Sequence, residues 1–149
     1  GITVIPTRLG VHIMSPRVIN PASLATPIGF AHGVLAGGAV YLGGQTAMDA
    51  DGRIVDGDIV DQFRRALQNV LETLREAGGV PSDLVSVTIY LTDVDEYQRR
   101  GRDIGRVWKE LVGPWYPAMA GVGVTQLWQR EAMVEVQGIA VITPEGRSA

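Results

Sequence analysis

GDIVDQFRRALQNVLETLREAGGVPSDLVSVTIYL, residues 57–91, holds two periodicities that follow one another. In its first part apolar residues stand at 59, 60, 63, 66, 67, 70, 71, 74 and 77, the spacing of one face of an α-helix. Asp58 is placed to cap that helix and Gly78-Gly79 to stop it. In its second part, Leu84 to Leu91, β-branched residues alternate with polar ones. This predicts a strand with Val85, Val87, Ile89 and Leu91 on one face and Ser86, Thr88 and Tyr90 on the other. An amphipathic helix leading into a half-wet strand is a unit of a mixed α and β fold.

Upstream, GVLAGGAVYLGGQ contains two short apolar runs, Val34 to Ala36 and Ala39 to Leu42, joined by Gly37-Gly38, the pattern of a tight hairpin. Asp49 to Gly52 supply a turn, and Arg53 to Val55 read as a third short strand. Downstream, a second helix is expected from about Asp95 to Val112, with Tyr97, Ile104, Val107, Trp108 and Leu111 inward. Gly101 and Gly105 weaken it intrinsically. Two strands follow, about Ala120 to Trp128 and Ala132 to Ile142. The order predicts an α+β two-layer sandwich, a mixed sheet with two helices on one face. Its other face needs cover, so a homo-oligomer is expected.

With 149 residues, 46% of them hydrophobic, and a net charge of -3, the chain has the makings of one folded domain. That charge disfavours a nucleic-acid clamp. The absence of cysteine removes disulfides, thiolate nucleophiles and sulfur-ligated zinc. Apolar runs such as Ile139 to Ile142 are too short to span a membrane, and residues 1–13 do not read as a secretory signal, so a cytoplasmic protein is expected. Met14 opens MSPRVINP in the manner of a chain start. Residues 1–13 are therefore read as an extension or loosely attached arm, and residues 14–149 as a single domain.

Glu135 is the acid of most interest. Alternation sets it with Met133, Gln137, Ile139 and Val141, where desolvation raises a carboxyl pKa and suits it to proton handling. The alternative is a strand-edge carboxylate in water or paired with an arginine, with Gln137 a polar partner on the same face. Gly43-Gly44, after an apolar strand, either lets backbone approach a ligand or forms a bulge. No glycine-rich phosphate motif is present. His32 stands alone, as a hydrogen-bonded structural histidine does, and no metal site is expected. Arg99, Arg100, Arg102, Arg106 and Lys109 are interleaved with acids, the mark of a solvated helix face. Trp108 has core spacing, whereas Trp115 and Trp128 are unassigned.

INPASLATPIGFAHGV, VYLGGQTAMDADGRIV, DQFRRALQNVLETLREAGG, VTIYLTDVDEY, YPAMAGVGV and VEVQGIAVI, in this order over about residues 18–142, together resemble the RidA/YjgF family. The resemblance implies a chorismate-mutase-like fold and a homotrimer whose sheets form a barrel-like centre, with three clefts between subunits. It also implies hydrolysis of reactive enamines and imines, such as 2-aminoacrylate, to 2-keto acids and ammonia, without metal or organic cofactor. Relatives hold the substrate carboxylate on an arginine in a P-A-R-S/T segment, a bidentate geometry suited to guanidinium. Here Met119 takes that place, followed by Ala120.

The family's S-G-Q is Gly43-Gly44-Gln45, and a tyrosine common near the early glycine is replaced by Ala31, with Phe30 beside it. The family's last-strand acid matches Glu135, and one extra residue separates it from Met119. The resemblance thus assigns Glu135 as catalytic and Phe30, Ala31, Gly43, Gly44, Met119 and Ala120 as substrate-binding. The leading expectation is a hydrolase for an enamine or imine other than the usual 2-imino acid. The alternative is a trimer that binds a small molecule or a protein without reaction. RNA cleavage fits least, given the net charge and the lack of a well-placed histidine. Partners are thus a small-molecule ligand and further copies of the chain, with no nucleic acid and no membrane.

Overall fold

Leu84–Leu91 forms a strand as its alternation predicts, and it lies one strand in from the edge of the sheet. The computed structural model describes residue 1, residues 4–6 and residues 12–142; the rest of the 1–13 arm and of the 14–149 domain lies outside the described residues. The strands are β1 (Val4–Pro6), β2 (His12–Met14), β3 (Arg17–Ile19), β4 (Gly33–Ala36), β5 (Ala39–Gln45), β6 (Leu84–Leu91), β7 (Ala118–Gly123) and β8 (Val134–Val141). The helices are α1 (Ile59–Glu76), α2 (Val94–Arg99) and α3 (Gly101–Leu111). Six strands make one sheet in the order β3-β4-β5-β8-β6-β7, while β1 and β2 pair separately. Only β6 and β7 run parallel within the larger sheet, so the sheet is mixed.

α1 begins at Asp58, whose side chain accepts from the Val60 and Asp61 amides while Asp61 answers to the Asp58 amide, a reciprocal capping box. Arg100 adds an ion pair to Asp58 at 2.7 Å, holding its carboxyl down at about 2. The apolar face of α1, with Phe63, Ala66, Leu67, Val70 and Leu74 buried, packs on Val40, Leu42, Val134, Val136 and Ala140 of the sheet. α3 adds Ile104, Val107 and Trp108 to the same layer. The helices thus share one face, and the α+β two-layer sandwich of chorismate-mutase-like type is the observed architecture.

Four local expectations change. Arg53 to Val55 is not a strand, since only a single bridge joins Met48 and Ile54. The helix expected over 95–112 is two helices broken at Arg100, with Asp93 capping the first. Val85 is 42% exposed, because a bulge between Leu84 and Ser86 shifts the register and sends Leu84 inward in its place. The strand expected over 120–128 lies at 118–123, so Trp128 is in a loop.

The other face of the sheet is open. Val18, Val34, Tyr41, Ile139, Ser86 and Ala118 stand opposite one another in a row crossing all six strands. Val18, Tyr41 and Ile139 of this row are exposed large apolar groups, as is Val141 further along β8.

Candidate functional site

Glu135, Gln137, Ile139 and Val141 alternate outward from β8, so Glu135 belongs to the open face, at its end. Opposite it β5 carries a bulge. Leu42 pairs with Gly138 and Gln45 with Val136, leaving Gly43 and Gly44 facing one residue. The absence of a side chain at Gly44 is what lets the Glu135 carboxylate lie where it does. A Cβ there would stand 2.7 Å from Glu135 Oε2 and 2.8 Å from its Cδ. The carboxylate lies directly on the glycine backbone. Half-buried, Glu135 has its pKa raised by desolvation.

Glu135 and Gly44 open into a cavity of about 340 Å³ also lined by Ile28, Phe30, Trp128 and the polar side chains of Gln45, Thr46 and Gln129. Its wall is built by a buried histidine. His32 Nε2 donates to the Ala25 carbonyl at 2.7 Å, and its Nδ1 accepts from Gln45 Nε2 at 2.8 Å. The His32 amide donates to Asn20 and its carbonyl accepts from the Gly43 amide. The ring therefore ties the 20–32 loop to the glycine bulge, the structural role its isolation suggested. Phe30 stands edge-on to it at 5.5 Å.

The floor is held from α1. Asn69 Nδ2 donates to the Thr46 and Met48 carbonyls, and the Gln62 amide bonds the Glu131 carbonyl and the Met133 amide. The Thr46 hydroxyl donates to Gln129 Oε1 at 2.9 Å, joining the two loops that flank the cavity. None of Gln62, Asn69, Thr46 or Gln129 was singled out from sequence. Gln62 and Asn69 nevertheless carried a signal, being polar residues seven apart at buried helix positions.

The structure brings Phe30, Gly44 and Glu135 together and separates the other candidates. Ala31 and Gly43 line an adjoining groove of about 450 Å³ on the open face, with Tyr41, Thr88 and Gln137. Tyr90 donates to Gln137 at 2.8 Å there. Ala120 stands on β7 opposite Thr88, exposed. Met119 pairs in register with the inward Val87 and lines a third cavity of about 260 Å³, with Phe63, Tyr97, Trp108 and Tyr116. Within one chain neither Met119 nor Ala120 lines the Glu135 cavity. Trp115, unassigned from sequence, donates to the Leu84 carbonyl, and Trp108 donates to the Trp115 carbonyl. Three of the arginines in this region pair with acids, Arg99 with Glu96, and Arg100 and Arg106 with Asp103. Among the described residues no cluster of potential metal ligands occurs, and no helix is long and apolar enough to cross a membrane.

A family model described as Endoribonuclease L-PSP matches residues 21–142. The chain belongs to that family, the RidA/YjgF family. It is similar to a RutC family protein of Pyrococcus abyssi, 32% identical over 129 residues that cover 85% of this chain and 98% of that protein. It is also similar to the 2-iminobutanoate/2-iminopropanoate deaminase of Capra hircus, 32% identical over 86% of this chain and 91% of the relative. Among solved structures, Escherichia coli TdcF with bound serine superposes with a TM-score of 0.76 at 26% identity, covering 85% of this chain and 99% of that one. The RidA/YjgF family thus includes imine deaminases, and one of its structures holds a small amino acid.

Proposed function

We propose that the protein is a RidA-like hydrolase of reactive enamines or imines, releasing ammonia at clefts between the subunits of a homotrimer. The observation that carries this reading is the Glu135 carboxylate laid against Gly44 at the mouth of a cavity, its pKa raised by burial. A carboxyl so placed takes a proton from an attacking water and passes it to the departing nitrogen, which is general acid-base work. The Gly44 backbone at the bulge is the group proposed to polarise the substrate. The trimer is supported by the position of Glu135 at the end of an uncovered apolar sheet face. A second copy closing on that face would also close the cavity, and would carry its own Phe30, Ala31, Gly43, Met119 and Ala120 toward shared clefts.

The substrate proposed is one without the usual carboxylate, since a methionine stands at position 119 and a thioether offers an anion neither charge nor donor. The test is ammonia release from freshly generated imines with and without a carboxylate, by the parent chain and by Glu135→Gln. Turnover of a carboxylate-free imine that Glu135→Gln abolishes is expected. Rates no faster than buffer across the panel would overturn the reading. The same methionine favours, as a second reading, a binding module of the same fold. A ligand that raises the melting temperature and is recovered chemically unchanged would select it.

A further inference from the structure

We propose that the Glu135 cavity selects its ligand as a cation, the protonated iminium of an aryl or bulky alkyl aldehyde or ketone, with the nitrogen on Glu135 and the hydrocarbon against Ile28, Phe30 and Trp128. This rests on the deaminase reading and names the substrate class for it. Two independent observations meet in the cavity. The first is its charge. Glu135 is the only acid among the described residues of one chain that line it, and no arginine or lysine is among them. His32 supplies no free donor, both ring nitrogens being committed to Ala25 and Gln45. A carboxylate substrate would meet a second carboxylate in a partly desolvated space, which is repulsive, whereas an iminium neutralises it.

The second observation is the rim. In the single chain Trp128 is 92% exposed, Ile28 89% and Phe30 56%, three large apolar groups that line one cavity. A cluster of that kind around a concave site marks a binding surface, and the two aromatic faces also attract a cation. Phe30 is positioned by its T-shaped contact with the buried His32 ring. Hydrolysis then balances with water alone. The water oxygen bonds to the iminium carbon, its protons pass through Glu135 to nitrogen, the C–N bond breaks, and a carbonyl compound and an ammonium ion leave.

The experiment titrates the full chain, in its native assembly, with benzylamine, benzyl alcohol and benzoate, following tryptophan fluorescence and heat. Benzylamine is expected to bind at least ten-fold more tightly than benzoate. Glu135→Gln should remove that preference, and Trp128→Ala should weaken benzylamine and benzyl alcohol alike without altering the oligomer. Equal affinities, preference for benzoate, no binding of benzylamine, or a preference that survives Glu135→Gln would each overturn the proposal. A Trp128→Ala chain that loses its oligomer but keeps its amine affinity would do the same. Failure here is distinguishable from failure of the deaminase reading. Amine preference without ammonia release leaves cation selection standing, and ammonia release confined to carboxylated imines leaves only the deaminase.

Discussion

At the scale of single residues, Glu135 and Gly44 form one unit. Burial raises the Glu135 carboxyl, so folding favours its protonated form. The folded state then binds a proton that the unfolded chain has released, and stability falls as pH rises from the ordinary carboxylate range through the raised value. Glu135→Gln removes that penalty. It is expected to melt at a higher temperature than the parent at pH 7, with the gap narrowing through the ordinary carboxylate range and closing by about pH 3, where both states of the parent are protonated. A gap of equal size at both pH values would contradict a desolvated Glu135. Gly44→Ala acts from the other side. Its Cβ meets only the Glu135 side chain, Oε2 at 2.7 Å and Cγ at 3.2 Å, so the fold can accept it by swinging that side chain away. Stability should change by less than about 1 kcal/mol, as for a peripheral substitution, while hydrolysis drops at least ten-fold. Urea unfolding and an ammonia assay on the same sample check both halves.

Elements carry a different set of constraints. α1 is doubly used: its apolar stripe covers the sheet, while Gln62 and Asn69, buried within that stripe, hold the loops on which Thr46, Met48 and Trp128 sit. α3 has slack. A Cβ at Gly105 would meet nothing within 4 Å, and its backbone has no positive φ. Gly105→Ala should therefore stabilise the protein by about 0.5–1 kcal/mol, through helix propensity and a less flexible unfolded chain. Chemical denaturation would measure it, and a loss of stability would show that α3 packs more closely on the 260 Å³ cavity beside it than its contacts suggest.

For the whole molecule the governing feature is the uncovered sheet face, with Val18, Tyr41, Ile139 and Val141 exposed on it. At roughly 25 cal/mol per Å² of apolar area removed from water, covering such a face on several copies is a strong drive to associate. Sedimentation of the parent chain is expected to give a trimer, and the pair Tyr41→Glu with Ile139→Lys a folded monomer without hydrolytic activity. A monomeric parent would remove the shared clefts from the proposal.

Helix α1 with its cap, the β4-β5 hairpin and strand β6 were legible along the chain because their determinants are local: periodicity, an N-cap acid, a Gly-Gly turn. The same holds for the two-layer class, since it follows from element order and amphipathicity. Glu135 and the glycine pair could be marked as candidates one at a time. Their contact could not, because it comes from a bulge in β5 that register across β8 creates. The inward turn of Leu84 in place of Val85 was likewise settled by pairing between distant segments, β6 against β8. Met119 shows the division most clearly. Its identity, a thioether with neither charge nor donor, is written in the sequence. That it lines a cavity beneath β7, apart from Glu135 in the same chain, was decided by the parallel register with β6, an interaction between residues more than thirty positions apart.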